Sequence, residues 1–179
     1  MRKLCALGIV LLSLAAAIGQ VNVSNLQGSD KAKTEAAKPD FSGTWSRDNA
    51  KSSGLQGALA DAALTMVVVH HDPELKISRS IKFNDQERSQ ELAYYTDRRG
   101  ETNPSVFARG DLKSKTKWDK NKIESRASWS TMSRSGEPSD FDLTERWELT
   151  PDGKTLTDTV EISSGRGVRT LKQVFNRVS

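Results

Sequence analysis

Four polar side chains fall where strand alternation calls for apolar ones. Arg79 shares a face with Leu75, Ile77, Ile81 and Phe83. Glu145 shares one with Phe141, Leu143, Trp147 and Leu149, Asp158 sits between Leu156 and Val160, and Gln173 goes with Leu171 and Phe175. A buried, unpaired charge is costly, so each group must be paired, hydrated or bound to something. Two arrangements meet that demand. In one, Arg79 and Glu145 form an internal ion pair within a water network. In the other, Arg79 anchors the carboxylate or phosphate of a ligand in an interior cavity. Glu145 and Asp158 are also a carboxylate pair for acid–base chemistry, provided that they converge on an accessible pocket and one titrates abnormally high.

The aromatic residues leave the same choice between packing and lining. Trp118, Trp129 and Trp147 fall on inward faces, and Tyr94, with Leu92 and Thr96, adds a hydroxyl. The candidate lining set is therefore Arg79, Tyr94, Trp129, Glu145 and Trp147. His70 and His71 are the only histidines. Neighbours on a strand face opposite sides, so regular β geometry cannot bring both to one metal. No metal site, cofactor or Ser-His-Asp arrangement is legible. Lys113, Lys115 and Lys117 form an outward stripe, which suits a solvated face, discourages edge aggregation and weakly attracts anionic lipids.

These side chains need a wall to hold them. Residues 41–47 alternate, with Phe41, Gly43 and Trp45 on one side. Further β segments are expected at 64–71, 75–83, 89–96, 112–118, 122–130, 141–149, 155–162 and 168–178. Each ends in turn chemistry such as Asp72-Pro73-Glu74 or Pro151-Asp152-Gly153-Lys154. Residues 53–63 carry Leu55, Leu59 and Ala63 at helical spacing, which predicts a short helix after the first strand. Residues 101–111 read as an irregular loop. About nine strands joined by short connections make an antiparallel meander. Closure into an up-and-down barrel of about 8–10 strands removes the two unpaired edges, with a two-sheet sandwich as the rival. Gly43 and Trp45 on the first strand and Arg177 on the last form the closing device, the guanidinium lying over the indole.

The chain of 179 residues carries 28% charged residues. Residues 1–19 read as a secretory signal: Arg2 and Lys3, an apolar run, then small residues before Gln20. An uncleaved anchor is the alternative. Residues 20–39 are small and polar, a flexible linker, and 40–179 form the folded domain. The lone cysteine, Cys5, lies in the signal, so the exported domain has no thiol chemistry. Loss of Arg2 and Lys3 leaves 25 basic against 23 acidic residues, a net charge of +2, which gives nucleic-acid binding little support.

Residues 40–178 resemble lipocalin-like, calycin-type barrels, and among them small exported bacterial proteins. The resemblance rests on Pro39 to Trp45, Lys51-Ser52, Asp72 to Lys76, Trp118-Asp119, Trp147, Leu149 to Leu156 and Val174 to Arg177. The helix after the first strand is similar in place to the lid of fatty-acid-binding proteins. The long C-terminal helix and disulfides of secreted lipocalins are missing. The resemblance implies a monomeric, non-enzymatic, periplasmic or secreted barrel. Its interior would take a small, partly apolar or amphipathic ligand, which could be anionic. Two alternatives stand beside it: an envelope structural or interaction module with a filled core, and an enzyme using the inner carboxylates.

Overall fold

A computed structural model describes residues 38–108, 110–132 and 136–178. The expected signal segment and residues 20–37 of the linker lie outside the described residues. Strand alternation produces ten strands and one short helix. They are β1 (Gly43–Arg47), α1 (Ala58–Asp61), β2 (Ala63–His71), β3 (Glu74–Phe83), β4 (Gln86–Tyr95) and β5 (Glu101–Pro104), followed by β6 (Asp111–Asp119), β7 (Lys122–Met132), β8 (Pro138–Leu149), β9 (Thr155–Ser164) and β10 (Gly167–Val178). All pairings are antiparallel, in the order β4-β3-β2-β1-β10-β9-β8-β7-β6-β5. The sandwich rival is therefore set aside: there is one continuous sheet.

The two margins of that sheet, β4 and β5, meet without a regular backbone ladder. The Asn103 amide does the joining, donating to the Ala93 carbonyl and accepting from the Ala93 N–H, both at 2.8 Å. Glu101 accepts the Tyr95 N–H at 3.3 Å. Below them, the Arg98 N–H donates to the Thr116 carbonyl at 3.1 Å, and Asp97 bridges to Lys117. The result is a nearly closed up-and-down barrel.

Two expectations are corrected. Residues 101–111 include a strand, β5, whose inward residues are Glu101 and Asn103. These are buried by hydrogen bonding rather than apolarity, so the segment lacks a hydrophobic signature. The helix is one turn, not 53–63. Gly54 and Gly57 have φ of 75° and 57°, which break the helical path, and Ser53 pairs with Lys172 instead.

The closing device forms as expected. Trp45 is fully buried. Its indole N–H donates to the Phe41 carbonyl at 3.1 Å, and the Arg177 guanidinium carbon lies 4.4 Å from the ring centroid. Arg177 also donates to the Ser42 carbonyl at 2.6 Å and the Gly153 carbonyl at 2.8 Å. Gly43 leaves the space: a Cβ there would stand 2.5 Å from Arg177 Nη1. Around this plug pack Phe41, Met66, Ile77, Leu156 and Phe175, all with almost no exposure. A smaller cluster of Ala127, Leu143, Val160 and Leu171 fills the other end. Between the two lie the polar groups.

Candidate functional site

The inward polar residues come from five strands and converge. Asp158 on β9 faces Gln173 on β10, whose amide donates to Asp158 Oδ2 at 3.0 Å. The Gln173 carbonyl accepts from Arg47 of β1 at 3.3 Å. Glu145 on β8 accepts the Tyr94 hydroxyl at 3.2 Å and the Trp147 indole N–H at 3.1 Å. Arg79 on β3 and Glu145 line the same space but do not form the ion pair that their charges invite. The buried Arg79 Nε and Asp158 Oδ1 have no protein partner.

Burial sets the electrostatics. It pushes the Asp158 carboxyl well above the ordinary range, and the neighbouring Glu145 charge adds to this. Asp158 is therefore favoured in its neutral form, able to donate a proton as well as accept one. Burial likewise raises the Tyr94 phenol, with Glu145 acting in the same direction, so its hydroxyl stays a donor.

Three interior spaces surround the cluster. The first, about 40 Å³, is walled by Leu64, Arg79, Glu145, Asp158, Gln173 and the mouth residue Phe107, among others. The second, about 50 Å³, also touches Arg79, Val106 and Phe107, so the two spaces adjoin at the 105–108 segment. Tyr94, Glu145 and Trp147 line a third, of about 10 Å³. A water needs roughly 10–15 Å³ of such volume, so each of the larger two has room for only a few waters. The Ser105 hydroxyl fixes the mouth segment by accepting the Phe107 and Ala108 N–H groups at 3.0 and 3.1 Å.

Four of the five candidate lining residues, Arg79, Tyr94, Glu145 and Trp147, therefore border interior space. Trp129 stands apart, stacked on Phe141 with centroids 5.1 Å apart. Trp118 closes the opposite end, donating to Asp72 at 2.7 Å. His70 packs inward against Phe41 and Trp118 while His71 is exposed, the opposite orientations that alternation requires.

The sequence reading missed Arg47. This buried side chain donates to the Leu59 and Ala62 carbonyls at 2.7 and 2.5 Å, tying the helix region to β1. Its signal was present, since it continues the Gly43–Trp45 alternation. The carboxylates do share a cavity, as acid–base chemistry would require. However, both Glu145 oxygens are already hydrogen-bonded, and the space is too small for a sugar.

The chain is a nearly closed, antiparallel up-and-down β-barrel with buried polar groups at its centre. No protein-family model matches the sequence, and neither does any curated protein. Among solved structures, the chain is similar to the REP1-NXSQ fatty acid transporter, with 14% identity and a TM-score of 0.55 over 78% of this chain and 97% of that one. It is similar to zebrafish ileal bile acid-binding protein complexed with cholic acid, at 13% identity and a TM-score of 0.52 over 77% and 98%. A secretory abundant heat soluble protein from Ramazzottius varieornatus gives 10% and 0.52 over 81% and 100%. At such identities the likeness is one of fold.

Proposed function

We propose that this is an exported, monomeric barrel that binds a small, partly apolar ligand in its interior, with Arg79 receiving the ligand's anionic group. One observation carries the reading: Arg79 Nε and Asp158 Oδ1, two buried polar atoms without partners, border one cavity. Unsatisfied groups of this kind cost about 1–3 kcal/mol each, a penalty that a bound carboxylate would relieve. Leu64, Ile81, Val160 and Leu171 supply an apolar wall beside them. The space present takes only the polar end, so entry requires Phe107 and Val106 to swing outward. Val106 is already 47% exposed. The fatty-acid and bile-acid cargo named for two solved neighbours supports a binding rather than catalytic role. The signal-like residues 1–19 support export to the periplasm or beyond.

The test is titration with the amphipathic anion 1-anilinonaphthalene-8-sulfonate, joined to native mass spectrometry of protein from its own cells. Binding is expected, and Arg79→Gln should weaken it by roughly tenfold or more, the worth of one charged hydrogen bond. Equal affinity in the variant would refute the role of Arg79. The small cavities favour a second reading, a filled-core envelope module. That reading requires no binding even after Phe107→Ala opens the mouth.

A further inference from the structure

One groove on the described surface lies outside the barrel. It has a volume of about 380 Å³, and five cationic residues line it: Arg98, Lys113, Lys115, Lys117 and Arg126. We propose that this outer wall of β6 and β7 docks the protein on anionic lipid bilayers.

A lysine stripe on one strand is ordinarily a solvated face. Here cations from three elements converge. Lys113, Lys115 and Lys117 alternate outward along β6. Lys115 stands opposite Arg126 of β7 in the ladder. Arg98 arrives from the β4–β5 turn, held on this wall by its N–H bond to the Thr116 carbonyl and by a left-handed φ of 67°.

No carboxylate lines the groove itself, and the one that ion-pairs with its cations is already saturated. Glu124, only 3% exposed, accepts Lys117 at 3.3 Å, Arg126 at 2.8 Å and Arg146 at 3.0 Å. That leaves Arg98, Lys113 and Lys115 exposed, with side chains that make no ion pair or hydrogen bond within the described residues. Their mutual repulsion works against the fold unless an external anion relieves it.

The groove's make-up selects the partner. Its lining contains no aromatic residue, so there is no platform on which bases or sugar rings could stack. The free cations are not held in a fixed geometry by neighbours, so they cannot shape a pocket for one small anion. Exposed point charges on long stems, spread over a sheet face, suit mobile phospholipid headgroups. The end of β6 nearest Lys113 lies beside the mouth residues Val106 and Phe107, which share a cavity with Leu112 and Ser114, so docking would bring the barrel mouth close to the bilayer.

The test is co-sedimentation of the full chain with phosphatidylcholine vesicles, with and without phosphatidylglycerol, at low salt. The triple variant Arg98→Gln, Lys113→Gln, Lys115→Gln is compared with Lys76→Gln, Lys82→Gln, Lys172→Gln, which removes equal charge from other walls. All chains share residues 1–37, so differences report the folded domain. Circular dichroism checks that each variant is folded. Each groove charge should be worth about fivefold, so the first triple should weaken binding to anionic vesicles by about a hundredfold and the second by far less. Equal losses in the two triples would overturn the proposal, because net charge alone would explain them. So would wild-type binding that ignores phosphatidylglycerol. Displacement from vesicles by RNA at matched phosphate concentration would also overturn it, assigning the wall to a soluble polyanion.

Discussion

Gly43 and Arg177 should fail as a unit. Gly43 has φ 141°, a region that costs a side-chain-bearing residue about 1–3 kcal/mol. A Cβ at Gly43 would also stand 2.5 Å from Arg177 Nη1 and 3.3 Å from its Cζ. A free arginine would move aside, but this one lies over Trp45 and donates to two backbone carbonyls. The stack is worth about 1 kcal/mol, and each partly solvated hydrogen bond about the same, so Arg177→Ala should cost about 2–3 kcal/mol. Gly43→Ala evicts the same side chain and adds backbone strain, for about 3–6 kcal/mol. The double variant should then be hardly less stable than Gly43→Ala alone, because Arg177's contacts can be lost only once. Urea unfolding followed by circular dichroism measures all four chains, with unchanged m-values as the check on two-state behaviour. If the single costs simply add to within about 0.5 kcal/mol, the two residues are independent and the account of closure is wrong.

Asn103→Ala removes both bonds to Ala93 and leaves that N–H and carbonyl without partners at the seam. The expected loss is about 2–4 kcal/mol, together with faster hydrogen exchange at the Ala93 and Tyr95 amides. Unchanged exchange there would mean that the margins are held by something else. Asp158 gives the opposite kind of test. Its folded-state pKa is raised, so above about 3.8 the folded chain keeps a proton that the unfolded chain has released. Stability contributed by this group therefore falls as pH rises from there to the folded pKa, and is level beyond it. Asp158→Asn keeps an acceptor for Gln173 and should remove that slope. Urea midpoints for both chains across the acid-to-neutral range would show it, and parallel curves would refute the buried-acid assignment.

The parts of this barrel that obey alternation could be read before the structure. β2, β3, β9 and β10 fill most of their inward positions with Leu, Ile, Val, Met or Phe, and their bounds lie within two residues of the expectation. The seam could not be read this way. Glu101 and Asn103 are buried because Ser114, Thr116 and Ala93 accept or donate at the right places, and those partners are distant in sequence. The helix was overread because Leu55 and Leu59 mimic an amphipathic face, while the geometry at Gly54 and Gly57 decides the path. Among the site residues, alternation sent Arg79, Glu145, Asp158 and Gln173 to the inside, where they lie together. It could not show that Tyr94 and Trp147 occupy both Glu145 oxygens and leave Arg79 alone, since that depends on register across six strands. Nor could it separate Trp129 from the other lining candidates, because its partner Phe141 sits on the same inward face.

The side-chain joint between β4 and β5 bears on how such a protein changes over time. Nine of the junctions between adjacent strands are written in main chain, which substitution barely edits. The tenth is written mostly in the amide of one residue. A single codon change at position 103 can therefore loosen the circumference while the remaining ladders stay intact. Selection for a wider interior has a short path here, and drift toward a sealed core has the same path in reverse.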